Sequence, residues 1–294
     1  MPQVEIVGGP HYPGTKLVAQ NCSAPGHPAW NATNWVDEEG SVADGYSARC
    51  LARTINRGYL SGCYTGLFQW HLISSFYSDV PWPRCGLAVA NQPWSGAYEI
   101  SRPAWAVAHT TQFASPGWRY LGLSSGVGFL EKGGSYVTRI SEDFSDFSIV
   151  IEKMGWRDSP CARPNNSSSP FYEAEVEDVV LVLGGVQIQK HTRRLYVWRS
   201  NLTEGAPEDQ VFQQLEPILV DSQQPQIRLT VRANEIYTVT TLPHEQADAR
   251  EQAGEGHGTA AAQPSSCPAN SASAGLGGWL EEVSYVTPSG LLCG

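Results

Sequence analysis

The chain has 294 residues, a formal net charge of −10 and only 16% charged residues. An acidic balance without clustered Lys and Arg excludes nucleic-acid binding, because phosphates need cationic partners. With 29 Gly, 20 Pro, 10 Trp, 12 Tyr and 8 Phe, the composition argues against a helical bundle and for strands, turns and surfaces that stack on flat apolar ligands.

Residues 4–7 alternate in polarity and then meet Gly8-Gly9-Pro10, which predicts a short strand ending in a turn that presents His11 and Tyr12. A polar loop is expected over 16–33, and a second strand ends at Glu38. Ala48, Leu51, Ala52 and Ile55 recur at helical spacing and predict a helix over 47–60 that stops near Gly58. Residues 67–75, with Trp70 near the middle, read as a further buried strand. Strand, loop and helix together make two or three β/α units over residues 1–90, the last strands of a partial (β/α)8 barrel, whose complete form needs eight units and about 250 residues.

After Gln92 the texture changes to short segments bounded by Gly, Pro, Ser and Asp. Strands are expected at 98–100, 105–109, 120–123, 135–139, 147–152, 179–183, 194–198, 226–231 and 237–241, so residues 91–243 read as an antiparallel β-sandwich able to stand alone. Residues 244–278 form a low-complexity linker too poor in apolar side chains to offset chain entropy, and are expected to be disordered. A short tail, 279–294, closes the chain. The fold class is therefore α/β plus all-β.

Seven cysteines stand at 22, 50, 63, 85, 161, 267 and 293 without a C-x-x-C pair, so no metal site and no cofactor is expected. Sequons at Asn21, Asn31, Asn165, Asn166 and Asn201 suit a secreted or endomembrane protein with disulfides. The first residues have neither a basic region nor an apolar core of a leader, and no run approaches a membrane span. The expectation is a cytosolic chain or one whose beginning is missing.

The chemistry is expected in residues 35–41, W-V-D-E-E-G-S, with Glu38 foremost. An acidic triplet is ordinarily a solvated turn, but this one closes a predicted barrel strand, where barrel enzymes keep catalytic carboxylates. Gly122-Leu123-Ser124-Ser125-Gly126 satisfies G-x-S-x-G, yet the following Val127-Gly128-Phe129 opens no helix, so it reads as a glycine-rich turn rather than a nucleophile elbow. His11 and His109 could each be satisfied core histidines, and Trp70 and Trp82 are ordinarily packing residues. The joint placement of His11, Glu38 and Trp70 on the barrel strands is what favours a site.

Several blocks carry a resemblance: H-Y-P-G-T at 11–15, the 35–41 stretch, R-C-G-L at 84–87, P-W-S-G at 93–96, A-H-T-T-Q-F at 108–113, L-E-K-G-G-S-Y-V at 130–137 and C-A-R-P at 161–164. In order and spacing they resemble the galactosylceramidase (galactocerebrosidase) family of retaining glycoside hydrolases over about residues 4–243. The resemblance implies a (β/α)8 barrel, a β-sandwich and a lectin-like domain, and hydrolysis of the β-galactosyl bond of galactosylceramide with retention by two carboxyl groups. It matches Glu38 to the nucleophile and His11 to the histidine beside it, with Tyr12 next to it a further candidate contact. Trp70 matches an aromatic of the pocket wall, Trp82 a position held by tyrosine in animal members, and Arg163 a sandwich arginine that contacts the sugar. Cys50 and Cys161 match a family disulfide tethering barrel to sandwich.

The same resemblance implies a galactolipid substrate presented by a saposin-like lipid carrier, only peripheral contact with lipid, and a lysosomal, vacuolar or secreted setting. The family's acid/base glutamate follows an asparagine, and no such pair precedes Glu38. Asn234-Glu235 has the dipeptide within the sandwich. The chain therefore resembles a partial member expected to lack the acid/base and galactosidase activity, the alternative being a non-catalytic sugar- or lipid-binding sandwich derived from the family.

Overall fold

The computed structural model describes residues 4–8, 15–20, 46–62, 64–69, 72–75, 86–90, 93–122, 126–155, 173–185, 193–203, 205–243, 282–286 and 292–293. Among the described residues strands predominate over helices, of which two are α-helices. The expectations over 244–278 lie outside them.

Strands β1 (Val4–Gly8), β2 (Thr15–Gln20) and β3 (Tyr64–Gln69) form an antiparallel sheet in that order. The register Gly8↔Lys16 leaves six residues, 9–14, between β1 and β2. A parallel pair needs a crossover of a dozen or more, so the chain must turn back, and β2 occupies the start of the segment expected as a loop. Leu17 and Val18 were the signal for it. The predicted strand over 67–75 divides between β3 and β4 (Ile73–Ser75). The parallel pairing that barrel strands require is present between β4 and β5 (Ala88–Ala90), with Ile73 opposite Ala88. Strand β6 (Glu99–Ile100) then pairs antiparallel with β5.

Helix α1 (Tyr46–Gly62) forms where the apolar spacing predicts one. Helix α2 (Arg102–Thr111) replaces the strand expected at 105–109. In R-P-A-W-A-V-A-H-T-T the alternation of Ala with larger residues imitates a strand, but Ala is the best helix former and Pro103 sits in the first turn, where its missing N–H costs nothing. Pro103, Ala106 and His109 are buried at intervals of three, the mark of a helix face.

The remainder is a sandwich. One antiparallel sheet contains β7 (Arg119–Tyr120), β8 (Val127–Phe129), β9 (Ser135–Ile140), β10 (Phe147–Glu152), β12 (Arg193–Asn201), β13 (Gln213–Val220) and β15 (Glu235–Thr240), in the order β13-β12-β15-β10-β9-β7 with β8 also on β9. The other, ordered β14-β11-β16-β17, joins β11 (Glu177–Gly184) and β14 (Gln226–Val231) to β16 (Glu282–Val286) and β17 (Leu292–Cys293). The end of the chain thus supplies strands to the second sheet. Strand β13 is not signalled by its polar, Pro217-bearing sequence, and its place at the end of the first sheet explains why proline is tolerated there.

Every residue of β9, β10 and β15 is buried, which an exposed sandwich face would not allow. On one side Tyr136, Phe147, Ile149, Ile151, Tyr237 and Val239 meet Val179, Leu181 and Leu183 of β11 and Ile227 and Val231 of β14. On the other, Val137, Val150 and Ile236 meet Ala48, Ala52, Tyr59 and Leu60 of α1 and Ala106 of α2. The molecule is therefore layered helix, sheet, sheet. A domain boundary at residue 90 would strip α1 from this face. Gly134 permits the turn into β9: its φ is +92°, and a Cβ there would lie 2.3 Å from the Glu152 carbonyl oxygen.

Side chains facing the helices are often small and hydroxylated: Ser135, Ser148, Ser200, Thr238 and Thr240 are all buried. The helices answer with polar groups. Asn56 Nδ2 donates to the carbonyls of Ser135 (3.3 Å) and Val150 (3.1 Å), bridging β9 and β10, and the Tyr59 hydroxyl donates to Leu121 O (3.0 Å). Asn56→Ala is expected to lower unfolding free energy by about 1–3 kcal/mol, the usual result of removing a buried hydrogen-bonding group. A lower urea midpoint at unchanged m-value is the readout; an unchanged midpoint would refute the bridge.

His109 fastens α2. The Thr238 hydroxyl donates to the His109 carbonyl (2.8 Å), so it can only accept from Nδ1 (2.8 Å), and the hydrogen count assigns the ring proton to Nδ1. Nε2 accepts from Ser200 Oγ (2.8 Å), which itself takes the Phe212 N–H at 2.7 Å. Burial pushes the imidazole pKa down from 6.5 to about 3. Neutral His109 thus contributes stability fully present above pH 6.5 and lost as pH falls toward 3. The slope is about 1.4 kcal/mol per pH unit, so from pH 6.5 to 5 the protein loses about 2 kcal/mol through this residue. Denaturation at both pH values should show this slope flattened in His109→Gln; an unaltered slope would exclude the residue as its source.

Candidate functional site

Glu38, His11, Tyr12, Trp70, Trp82, Arg163 and Cys161 lie outside the described residues, but elements that flank their segments are described. The registers Gly8↔Lys16 and Thr15↔Gln69 place Gly8, Thr15 and Gln69 at one end of the β1-β2-β3 sheet. The segment bearing His11 and Tyr12 joins the sheet at that end, and Trp70 follows Gln69 directly. The segment bearing Glu38 leaves Gln20 at the opposite end and enters α1 at Tyr46. Trp82 falls between β4 and β5, and Arg163 between β10 and β11.

The best-defined polar constellation lies where β10 ends and the chain sets off toward Arg163. Arg49, Arg53 and Arg57 recur every four residues on α1 and so share one helix face. Arg53 donates from Nη1 to the Met154 carbonyl at 2.9 Å. Its pKa is pulled down to about 10 by burial, a shift opposed by the nearby Glu152 carboxylate. Arg57 is lowered for the same reason, with Glu152 again opposing, and its guanidinium lies 4.5 Å from the Phe129 ring centre. Glu152 accepts from Ser135 Oγ at 2.5 Å and from Met154 N–H at 2.9 Å.

The next residue, Lys153, is fully buried and paired with Glu177. Burial depresses the lysine's pKa, while the hydrogen bond to Glu177 raises it. Glu177 also accepts the Lys132 N–H at 3.1 Å. Lys153 and Glu177 are paired and dry, and with Arg53 and Glu152 they hold α1, β9, β10 and β11 in one geometry. The repeat of arginines is legible in the sequence yet absent from the expectations above, because helical periodicity is ordinarily counted in apolar residues.

Asn234-Glu235 is likewise structural. Asn234 holds a left-handed φ of 62° in the turn between β14 and β15. Glu235 is 5% exposed, accepts from the Tyr237 hydroxyl and lies 3.8 Å from Arg199. Desolvation and this carboxylate together hold the Tyr237 phenol above its ordinary pKa.

Cys50, in α1, is disulfide-bonded, and its partner lies outside the described side chains. One turn further along α1, Arg53 holds Met154, seven residues before Cys161.

Among solved structures, a glycoside hydrolase family 30 subfamily 8 xylanase from Clostridium acetobutylicum superposes with a TM-score of 0.42 at 10% identity over 70% of this chain and 40% of its own, too remote to carry an argument. Sequence relatives are far nearer. Galactocerebrosidase of Mus musculus is 35% identical over 240 residues, and that of Canis lupus familiaris 34% over 240. Each match takes in 81% of this chain and 33% of the relative, so the chain spans about a third of the length of these curated relatives. Putative galactocerebrosidase of Caenorhabditis elegans is 31% identical over 153 residues, 52% of this chain and 22% of its own. The family model for glycosyl hydrolase family 59 matches residues 2–112, and that for the central domain of the same family matches residues 120–246. With both halves of the described fold matched in order, this chain belongs to glycosyl hydrolase family 59.

Proposed function

We propose that this chain supplies the nucleophile-bearing part of a galactosylceramidase that hydrolyses the β-galactosyl bond of galactosylceramide with retention. The collinear match to galactocerebrosidases over 240 residues carries the reading, and Glu38 lies inside the segment matched at residues 2–112. The parallel β4–β5 pair supports assigning these two strands to the end of a (β/α)8 barrel that precedes the sandwich, with α1 packed on the sandwich sheet. A disulfide at Cys50 and the sequons favour a lysosomal or secreted setting, since disulfides persist in oxidising compartments.

In this mechanism the Glu38 carboxylate attacks the anomeric carbon while a second carboxyl group, about 5–5.5 Å away, protonates the departing oxygen; water then releases the sugar from Glu38. On the family match His11 donates a hydrogen bond that keeps Glu38 ionised, which requires the segment after Gln20 to carry Glu38 back to the His11 end of the sheet. Trp70 and Trp82 supply stacking faces for the ring, and the planar fork of Arg163 grips hydroxyl oxygens. The buried carboxylates Glu152, Glu177 and Glu235 are committed to structural bonds and are not candidates for the acid. Galactolipid, presented by a saposin-like carrier, is the proposed substrate form.

The complete protein, treated with an activated 2-fluoro-galactoside that stalls the glycosyl-enzyme, should carry the label on the peptide containing Glu38, and Glu38→Gln should carry none. Label on another carboxylate would overturn the assignment.

We further propose that Cys50 pairs with Cys161, so that the segment bearing Arg163 is tethered to α1. Non-reducing peptide mapping should recover the two cysteines on one linked fragment. Cys50→Ser should lower stability by about 2–5 kcal/mol, the usual range for a lost native disulfide. Recovery of Cys50 linked to any other cysteine would refute the pairing.

A further inference from the structure

We infer that Asn201 carries an N-linked oligosaccharide in the folded protein and that the modified amide keeps both of its present hydrogen bonds. Residues 201–203 read Asn-Leu-Thr, an acceptor tripeptide that the proposed glycosidase chemistry leaves unused. Of the five sequon asparagines it is the one within the described residues.

Asn201 is the last residue of β12. Strand β13 begins only at Gln213, opposite Arg199, so β12 outruns its neighbour and Asn201 has no strand on that side. The chain there passes into a surface corner in which Gly205, Pro207, Glu208 and Asp209 are all exposed. Leu202 between them is fully buried against α1 and α2, and strand alternation turns Asn201 and Thr203, both half-buried, the other way. The corner is held from beneath. Arg102 donates from Nη1 to the Asn201 carbonyl at 3.1 Å, and Leu202 N–H donates to Asn234 O at 2.8 Å.

The side-chain amide is compatible with substitution. Its Oδ1 accepts the Thr203 N–H at 2.9 Å, and Nδ2 donates to Gln210 Oε1 at 2.9 Å. Nδ2 has two hydrogens and this geometry uses one. Transfer from a polyisoprenyl pyrophosphate-linked oligosaccharide forms a bond between Nδ2 and the anomeric carbon, breaks the bond from that carbon to the pyrophosphate oxygen, and releases one Nδ2 proton with the lipid pyrophosphate. One N–H remains for Gln210, and Oδ1 is untouched. The exposed Gly205, Pro207, Glu208 and Asp209 border this corner on the solvent side, where a bulky, hydrated group belongs. The inference rests on passage through the secretory route proposed above, but not on the sugar chemistry of Glu38.

The test expresses the full chain behind a signal leader in a eukaryotic secretory host, then treats the soluble secreted protein with an amidase that converts glycosylated Asn to Asp. Peptide mass spectrometry should read Asp at 201 in the wild type and in Thr203→Ser. Thr203→Ala, which destroys the acceptor but retains the backbone N–H that Asn201 uses, should read Asn at 201 and remain soluble. Unconverted Asn201 in the wild type would overturn the proposal, as would conversion persisting in Thr203→Ala. The readout requires no glycosidase activity, so a failed Glu38 assignment leaves it intact.

Discussion

The structure depends on the burial of both faces of β9, β10 and β15. A sheet covered on one side can leave the other in water and alternate polar with apolar residues. Here the second face is covered as well, by α1 and α2, and it sets small hydroxylated side chains among Val137, Val150 and Ile236. Removing such hydroxyls from water without partners is costly. His109 of α2 supplies such partners to the Thr238 and Ser200 hydroxyls, while Asn56 and Tyr59 of α1 donate to the main-chain carbonyls of Ser135, Val150 and Leu121. The apolar side of the sheet fixes which elements collapse together; the hydroxylated side fixes where the helices stop.

The charged groups at the end of β10 extend the same constraint. A buried ion pair adds little net stability over an apolar pair of equal volume, but leaving one member unpartnered is severe. Arg53, Glu152, Lys153 and Glu177 are consequently worth more as a geometric specification than as a source of stability. Rotation of α1 by one residue would move Arg53 off the Met154 carbonyl and away from Glu152 together. The segment that leaves Met154 toward Arg163 thus starts from a point fixed on two elements.

Much of this was legible in the residues. The amphipathic spacing of Ala48, Leu51 and Ala52 announced α1, and F-S-I-V-I and Y-T-V-T-T announced the central strands β10 and β15. The errors have physical causes. Ala-rich alternation hid α2, because a pattern of period two says nothing of propensity when every second residue is alanine. Strand β13 was hidden by Pro217, which local rules demote and an edge position permits. The antiparallel turn from β1 to β2 follows from the length of the connection, which outweighs the barrel-like texture of the sequence. Of the site, Glu38 and His11 drew notice through their placement on predicted barrel strands and Arg163 through motif resemblance, whereas Asn56 and Arg53 depend on partners 79 or more residues away that no local window contains.

Strand β16 gives the second sheet a particular history. It pairs with β11 in the register Leu183↔Val283, a separation of 100 residues. Ribosomes deliver about 5–20 residues per second, so one edge of β11 waits on the order of 5–20 seconds of synthesis before its neighbour exists. During that interval Val180 and Val182 lie on a strand with unpaired amides and carbonyls, the arrangement that invites pairing with a foreign chain. Efficient production of this protein therefore turns on what shields that edge during translation, and a slower or cooler host lengthens the exposure it must survive.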